Sequence, residues 1–356
     1  MQIPQIKYEY QTFINTCNDI IKKSGKNLQI ITLLYRPENG EDISNTFLSA
    51  GCAINKNLGK VMEISTKYKL YKTERNVYYY IFQHPKYEEI YFVFSLNGIG
   101  DIYRTLPRIL EPVQNIYYLW LPPTYFDGLK ERILKNKDAY VTYFHGKKLD
   151  ASKQECKRPM FYRDIKYKGD DAKSAMEELR FEYGVLPQTI EFVIPGDSRF
   201  RINKNGYYTL FDGKIERFLD NIVDVFIQMV IKDNKEMEKA KYSITRKGEI
   251  QVLNSREVKI ELEQSIGFEE FEEFVSIMEN NGFGPYNVRL REGSVIFSAN
   301  VVDERKGNIF SVTSNGKQFT VIPKYNSSFI SIVRFHRFLI EKIDQLTSIV
   351  HNNPSD

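Results

Sequence analysis

With 356 residues, 42% of them apolar and 27% charged, the chain has enough apolar surface to bury two or three domains, and this excludes disorder as its main state. Its apolar runs, such as Ile116-Tyr117-Tyr118-Leu119-Trp120-Leu121, stop far short of a bilayer span. The net charge of +4 is too small to imply a polyanionic partner, and three scattered cysteines without a C-x-x-C pair argue against a disulfide framework or thiolate zinc site. Residues 1–7 lack the basic-then-apolar layout of a signal peptide, so a cytoplasmic location is expected.

In chain order, Tyr8 to Ser24 reads as a helix. Tyr10, Phe13, Ile14, Cys17, Ile20 and Ile21 recur at helical spacing, and Gly25 stands where a left-handed terminator belongs. Strands are expected at Leu28 to Tyr35, Thr46 to Ile54, Val61 to Lys72, Asn76 to Gln83 and Glu89 to Leu96, with turns at Pro37 to Gly40 and at Asn97-Gly98. Residues 105–136, with four prolines, read as helical pieces around a strand at Ile116 to Leu121. The first domain is expected to close near residue 150, with 151–170 as a basic linker.

The second half reads as two helix–sheet–helix units, 171–250 and 251–356. In the first, a helix at Asp171 to Tyr183 precedes strands at Thr189 to Ile194, Phe200 to Ile202 and Tyr207 to Phe211. A long amphipathic helix through Ile215 to Val230 closes it. In the second, a helix at Phe268 to Glu279 precedes strands at Asn287 to Arg291, Val295 to Val302, Ile309 to Thr313 and Lys317 to Ile322, and a helix from Phe329 to Ile343 ends the unit. At an offset of 110 residues, Phe200, Asn205, Gly206, Ile222, Val223 and Lys232 meet Phe310, Asn315, Gly316, Ile332, Val333 and Lys342, which suggests internal duplication. Each Asn-Gly predicts a type I′ hairpin. The expected fold class is α+β, with antiparallel sheets carrying helices on one face and leaving the other free to bind.

No motif for a nucleotide-cradling loop is complete, and His84, His145, His336 and His351 show no metal-ligand spacing, so neither cofactor nor metal is expected. His336 falls on the apolar stripe of the last helix, where Phe226 stands in the unit before, and is expected buried with one ring nitrogen hydrogen-bonded. Glu257-Val258-Lys259 with Glu249 upstream, or Asp212-Gly213-Lys214, has the spacing of a metal-dependent nuclease; alternation along Glu257 to Glu263 reads equally as a strand with one wet face. His145-Gly146-Lys147 lacks the aspartate of a phospholipase-D-like motif.

Charge is unevenly spread. From Lys130 to Lys168 there are 12 Lys/Arg and 5 Asp/Glu, whereas Ser255 to Glu279 carries 2 basic and 8 acidic residues. The basic stretch interleaves cations with rings, as does Lys67 to Lys72. A non-enzymatic protein engaging DNA or RNA is therefore expected, with Lys157, Arg158, Arg163, Lys166 and Lys168 on phosphates and Phe161, Tyr162 or Tyr167 stacking on bases. The alternative is a scaffold with a protein partner, using tyrosine-rich sheet faces and the acidic helix around Glu269 to Glu273. The nuclease ranks behind both.

Overall fold

The computed structural model describes residues 2–351 apart from 38–40, 71–72, 112, 114, 137, 149–155, 159–163, 241, 248–249, 292–295 and 325–328. Helix α1 (Tyr10–Ser24) buries Phe13, Ile14, Cys17 and Ile21, and Gly25 ends it at φ 62°, donating its N–H to the Ile21 carbonyl. Strand β1 (Leu28–Tyr35) is buried along its whole length. The strand expected from Thr46 begins instead as helix α2 (Ile43–Ser49). Asp42 caps that helix by accepting the Ser44 N–H at 2.8 Å, and Ile43 and Phe47, one turn apart, drop into the core.

Strands β2 (Ala53–Leu58), β3 (Val61–Leu70), β4 (Thr73–Gln83) and β5 (Ile90–Ser95) follow as a meander. Gly98 is the extended cap of α3 (Ile99–Leu110) rather than a hairpin residue. The chain continues through β6 (Ile116–Tyr118), α4 (Pro123–Asn136), β7 (Tyr140–Lys147) and β8 (Asp164–Lys168). Next come α5 (Ala172–Tyr183), β9 (Leu186–Ile194), β10 (Ser198–Asn203) and β11 (Tyr207–Asp212). A helix then runs as α6 (Ile215–Phe218), a π turn (Leu219–Val223) and α7 (Asp224–Glu238). The π turn places buried Asp224 beneath the β4–β5 connection. There it accepts Lys86 Nζ at 2.7 Å and lies 2.9 Å from His84 Nε2, while His84 Nδ1 accepts the Lys86 N–H.

The first sheet has the order β2-β3-β4-β5-β1-β11-β10-β9-β7-β8, with β6 also on β1. This overturns the expected break at 151–170. Strand β7 pairs directly with β9 across that segment, and β8 lies inside it. The expectation of helices on one face holds for half of the sheet only. Under the meander, α2 and α3 bury Phe47, Ile102 and Leu106 against Ile31, Leu33 and Val93. On the opposite face α1, α4, α5 and α7 share one core with β1, β9, β10 and β11. Beyond α3, the face of β10, β9, β7 and β8 away from that core has no helix packed on it among the described elements.

After the hairpin β12 (Tyr242–Lys247) and β13 (Ile250–Ser255), the chain forms β14 (Val258–Glu261), α8 (Glu270–Asn280) and β15 (Phe283–Leu290). It then adds β16 (Phe297–Asp303), β17 (Asn308–Ser314), β18 (Gln318–Pro323), α9 (Phe329–Lys342) and β19 (Ser348–Ile349). The second sheet, β15-β16-β17-β18-β14-β19, covers its own core with α8 and α9. Tyr117 and Phe329 touch both this core and the large one, so the two sheets meet at α9 and the β6 segment.

The two Asn-Gly pairs join corresponding strands but make different turns. Neither asparagine has positive φ, so neither turn is type I′. Lys204 to Gly206 form a three-residue loop in which Asn203 Oδ1 accepts the Asn205 N–H. Asn315 Oδ1 instead accepts the Lys317 and Gln318 N–H groups. The first meander has three strands after α5 and the second four after α8, so the alignment alone does not establish duplication.

His336 is 3% exposed on α9, and one ring nitrogen bonds the backbone at Thr347 while Nε2 has no partner among the described residues. Burial outweighs that bond and lowers its pKa to about 4. The unfolded chain therefore takes up a proton below pH ~6.5 that the native state refuses, and stability, complete above that pH, drains away as pH falls toward 4. We expect urea melts to lose on the order of 2–4 kcal/mol between pH 7 and pH 4 through this group, and His336→Phe to flatten that slope. At the first hairpin, Gly206 has φ 70°, and a Cβ there would lie 2.5 Å from both the Leu119 carbonyl oxygen and Thr32 Oγ1. Gly206→Ala should cost about 3 kcal/mol or more in urea unfolding, against about 1 kcal/mol for Gly196→Ala, whose φ is similar but whose surroundings are open.

Candidate functional site

Period-2 alternation builds the uncovered face. In Thr189-Ile190-Glu191-Phe192-Val193-Ile194 and Arg199-Phe200-Arg201-Ile202, the apolar members Ile190, Phe192, Phe200 and Ile202 enter the large core. Glu191, Arg199 and Arg201 must then point the other way. Register aligns them across five strand boundaries. One row reads Lys168, Tyr143, Glu191, Arg201, Thr209, Gln29, and the next reads Lys166, His145, Thr189, Asn203, Tyr207, Ile31.

Glu191 is the anchor of this face, with a side chain 1% exposed. Arg199 donates Nε and Nη2 to Oε1 at 3.0 and 2.8 Å, and Arg201 donates the same pair to Oε2 at 3.2 and 2.7 Å. Thr142 Oγ1 adds a bond at 3.1 Å. Burial pushes the carboxyl toward its neutral form, but the two guanidinium forks and their charge outweigh it and hold Glu191 below the ordinary carboxylate range.

The arginines are clamped between rings as well. Arg201 lies 4.3 Å from the Tyr143 ring centre and 5.4 Å from that of Phe211, and Arg199 lies 5.0 Å from Phe211. Toward β1 the aromatic surface continues through Tyr207, whose ring is 5.2 Å from Tyr103 and 5.1 Å from Tyr118. Lys166 and Lys168 on β8 are exposed at the far edge, and His145 Nε2 lies 2.7 Å from Asp164 Oδ1. The arrangement offers flat rings and fixed cations to an extended anionic ligand. Nothing in it resembles a nucleophile with its base.

The expected basic segment is thereby divided. Lys166 and Lys168 reach this face. Tyr167 turns to the opposite side, stacks on Phe144 at 5.9 Å and donates its hydroxyl to Asp171, so it offers no ring to the open face. Lys157 and Arg158 run along the end of α5. Their N–H groups bond the Phe181 and Glu182 carbonyls, Lys157 Nζ pairs with Glu182 at 2.6 Å, and Arg158 lies over Tyr183. Phe161, Tyr162 and Arg163 lie outside the described residues.

The nuclease pattern is not assembled. Glu257 pairs with its own Lys259 at 3.3 Å, Asp212 accepts the Gly213 N–H at the turn into α6, and Glu249 lies outside the described residues. No group of three or more His, Cys, Asp or Glu among the described residues is placed to share a metal ion. The acidic residues of α8 are exposed, and that helix packs on β15 in the second sheet. A cavity of about 650 Å³ beside β3 and β4 mixes Arg36, Lys56 and Lys60 with Glu41, Asp42, Glu88 and Glu89, two of them paired with those cations, and so has no positive field to offer.

A model of the AF_0896_M family middle domain matches residues 124–205, from α4 to the β10 hairpin, which includes β7 to β10 and the Glu191 cluster. An uncharacterized protein of Archaeoglobus fulgidus is 26% identical over 258 residues, which cover 68% of this chain and 70% of that protein. No helix among the described residues is long and apolar enough to cross a membrane.

Removing both arginines would strand a buried carboxylate. The Arg199→Met/Arg201→Met variant should lose roughly 3–5 kcal/mol at pH 7 in urea unfolding, and adding Glu191→Gln should restore most of it. Because the folded pKa of Glu191 is depressed, its contribution is present above the usual carboxylate range and lost as pH falls through the lowered value; the deficit of the arginine variant should shrink in the same acid window.

Proposed function

We propose that the protein binds single-stranded nucleic acid on the open face of β8, β7, β9 and β10, as a binding protein without chemistry of its own. The observation that carries this reading is the interleaving of Lys166, Lys168, Arg199 and Arg201 with Tyr143 and Phe211 on one uncovered sheet face. Cations at the β8 edge would track phosphates, and rings held flat by the arginines would stack with bases regardless of sequence. The matched family description and the A. fulgidus relative name no activity, so the reading rests on this face alone.

A protein partner is the second reading. Glu191 cancels much of the arginine charge, and a surface that is aromatic but weakly charged suits an acidic or polar peptide segment.

Anisotropy titrations with a short labelled oligonucleotide separate the two. Under the nucleic-acid reading, Lys166→Gln/Lys168→Gln should weaken binding and flatten the log K against log salt slope by about 0.7 for each phosphate that is no longer neutralised. Tyr143→Ala should cost about 1–3 kcal/mol per stacked base with the slope unchanged. Absence of binding at low salt, or a lysine variant that binds as the parent does, would move the protein-partner reading to first place.

A further inference from the structure

A second constellation lies where the two sheets meet, apart from the Glu191 cluster. A cavity of about 320 Å³ opens between β6 and α9, at the lower end of the range of roughly 300–1,000 Å³ that small ligands occupy. Its walls include Tyr118 and Trp120 on one side and Arg305, Arg334, Arg337 and Lys342 on the other. Glu341 is the one acid among those lining residues.

The cations are presented in different ways. Arg337 lies 5.2 Å from the Trp120 ring centre, bonds Glu341 at 3.1 Å and donates to Asn205 Oδ1 of the first hairpin. Arg334 pairs with Asp303, which is fully buried behind it, and lies 5.5 Å from the Phe283 ring. Glu341 is shared with Lys204, whose ammonium lies 3.4 Å away, so one carboxylate faces two cations. Arg305 is exposed and makes no ion pair among the described residues. Trp120 is 5% exposed, and its indole N–H meets no acceptor among those residues. The cleft thus has a surplus of positive charge, guanidinium forks able to grip an oxyanion, and flat aromatic walls.

We propose that this cleft binds a small ligand that joins a flat ring to a phosphate or carboxylate, a nucleoside monophosphate being the simplest such molecule. The anionic group meets Arg305, Lys342 and Arg337, and the ring lies against Trp120 and Tyr118. The cleft is built from both sheets, since Trp120 follows β6 on the first and the arginines belong to the second. Occupancy therefore tightens the contact between them.

Trp120 is the chain's only tryptophan, so its emission reports this cleft directly. The test titrates the full chain with AMP, adenosine and inorganic phosphate at low salt, following Trp120 fluorescence and the melting temperature. AMP is expected to give a saturable emission change and to raise the melting temperature. Adenosine and inorganic phosphate should each bind at least about 10-fold more weakly, since each lacks one half of the recognised group. Arg305→Ala, exposed and outside the core, should fold normally and weaken AMP about 10-fold, as should Lys342→Ala. No saturable response to AMP at millimolar concentration would overturn the proposal. So would adenosine binding as tightly as AMP, or both variants binding as the parent does.

Discussion

Strand β1 has hydrogen-bonded neighbours on both edges and apolar cores on both faces, and the rest of the molecule is placed from it. It pairs with β5 along one edge, and with β11 and then β6 along the other. Ile30 and Leu34 enter the core shared with α1 and α7, while Ile31, Leu33 and Tyr35 enter the one capped by α2 and α3. A strand buried on both faces reads as a continuous apolar run, and Leu28-Gln29-Ile30-Ile31-Thr32-Leu33-Leu34-Tyr35 nearly is one. Its edge bond to β11 ties residues about 180 positions apart into one sheet, so the first half of the chain and the following meander are not separable domains.

The open face is a consequence of that joining. The sheet continues past the helices that cover its meander end, and β10, β9, β7 and β8 are left with one face on the core and the other uncovered. Such a face cannot be apolar without becoming a liability. It is held instead by the Glu191 carboxylate, which fixes two arginines in place and pre-orders the rings stacked on them. The same arrangement that satisfies a buried charge also leaves guanidinium and aromatic groups at the surface in a defined geometry.

The second sheet contributes differently. It has its own core, and it approaches the first through α9, Tyr117 and Phe329. Long charged side chains, rather than an apolar seam alone, line part of the junction: Arg337 and Lys204 both reach Trp120, and Glu341 lies between them. Burial is the main cause that brings Lys204 down to about 8, because its ammonium is withdrawn from water at this contact.

Local patterns in the sequence are enough to determine much of the scaffold. The helical spacing of Phe13, Ile14, Cys17 and Ile21, the terminator Gly25, the alternation in β3 and β10, and the burial of His336 on an apolar stripe all depend on neighbours within a few residues. The α2 segment reads as a strand because Thr46 and Phe47 suit one equally well, and only the Asp42 cap and the space beneath them choose a helix. The alternation Arg199-Phe200-Arg201-Ile202 does mark a face with two cations. That both close on Glu191, eight and ten residues earlier and one strand over, depends on register, and register is set when the sheet assembles. For the same reason Tyr167 and Lys168, adjacent in sequence, end on opposite sides of β8, and Trp120 meets Arg337 across more than two hundred residues. Sequence alone settles which side chains share a face of one strand or helix; only tertiary packing settles which faces meet, because contacts between distant segments carry no local period to read.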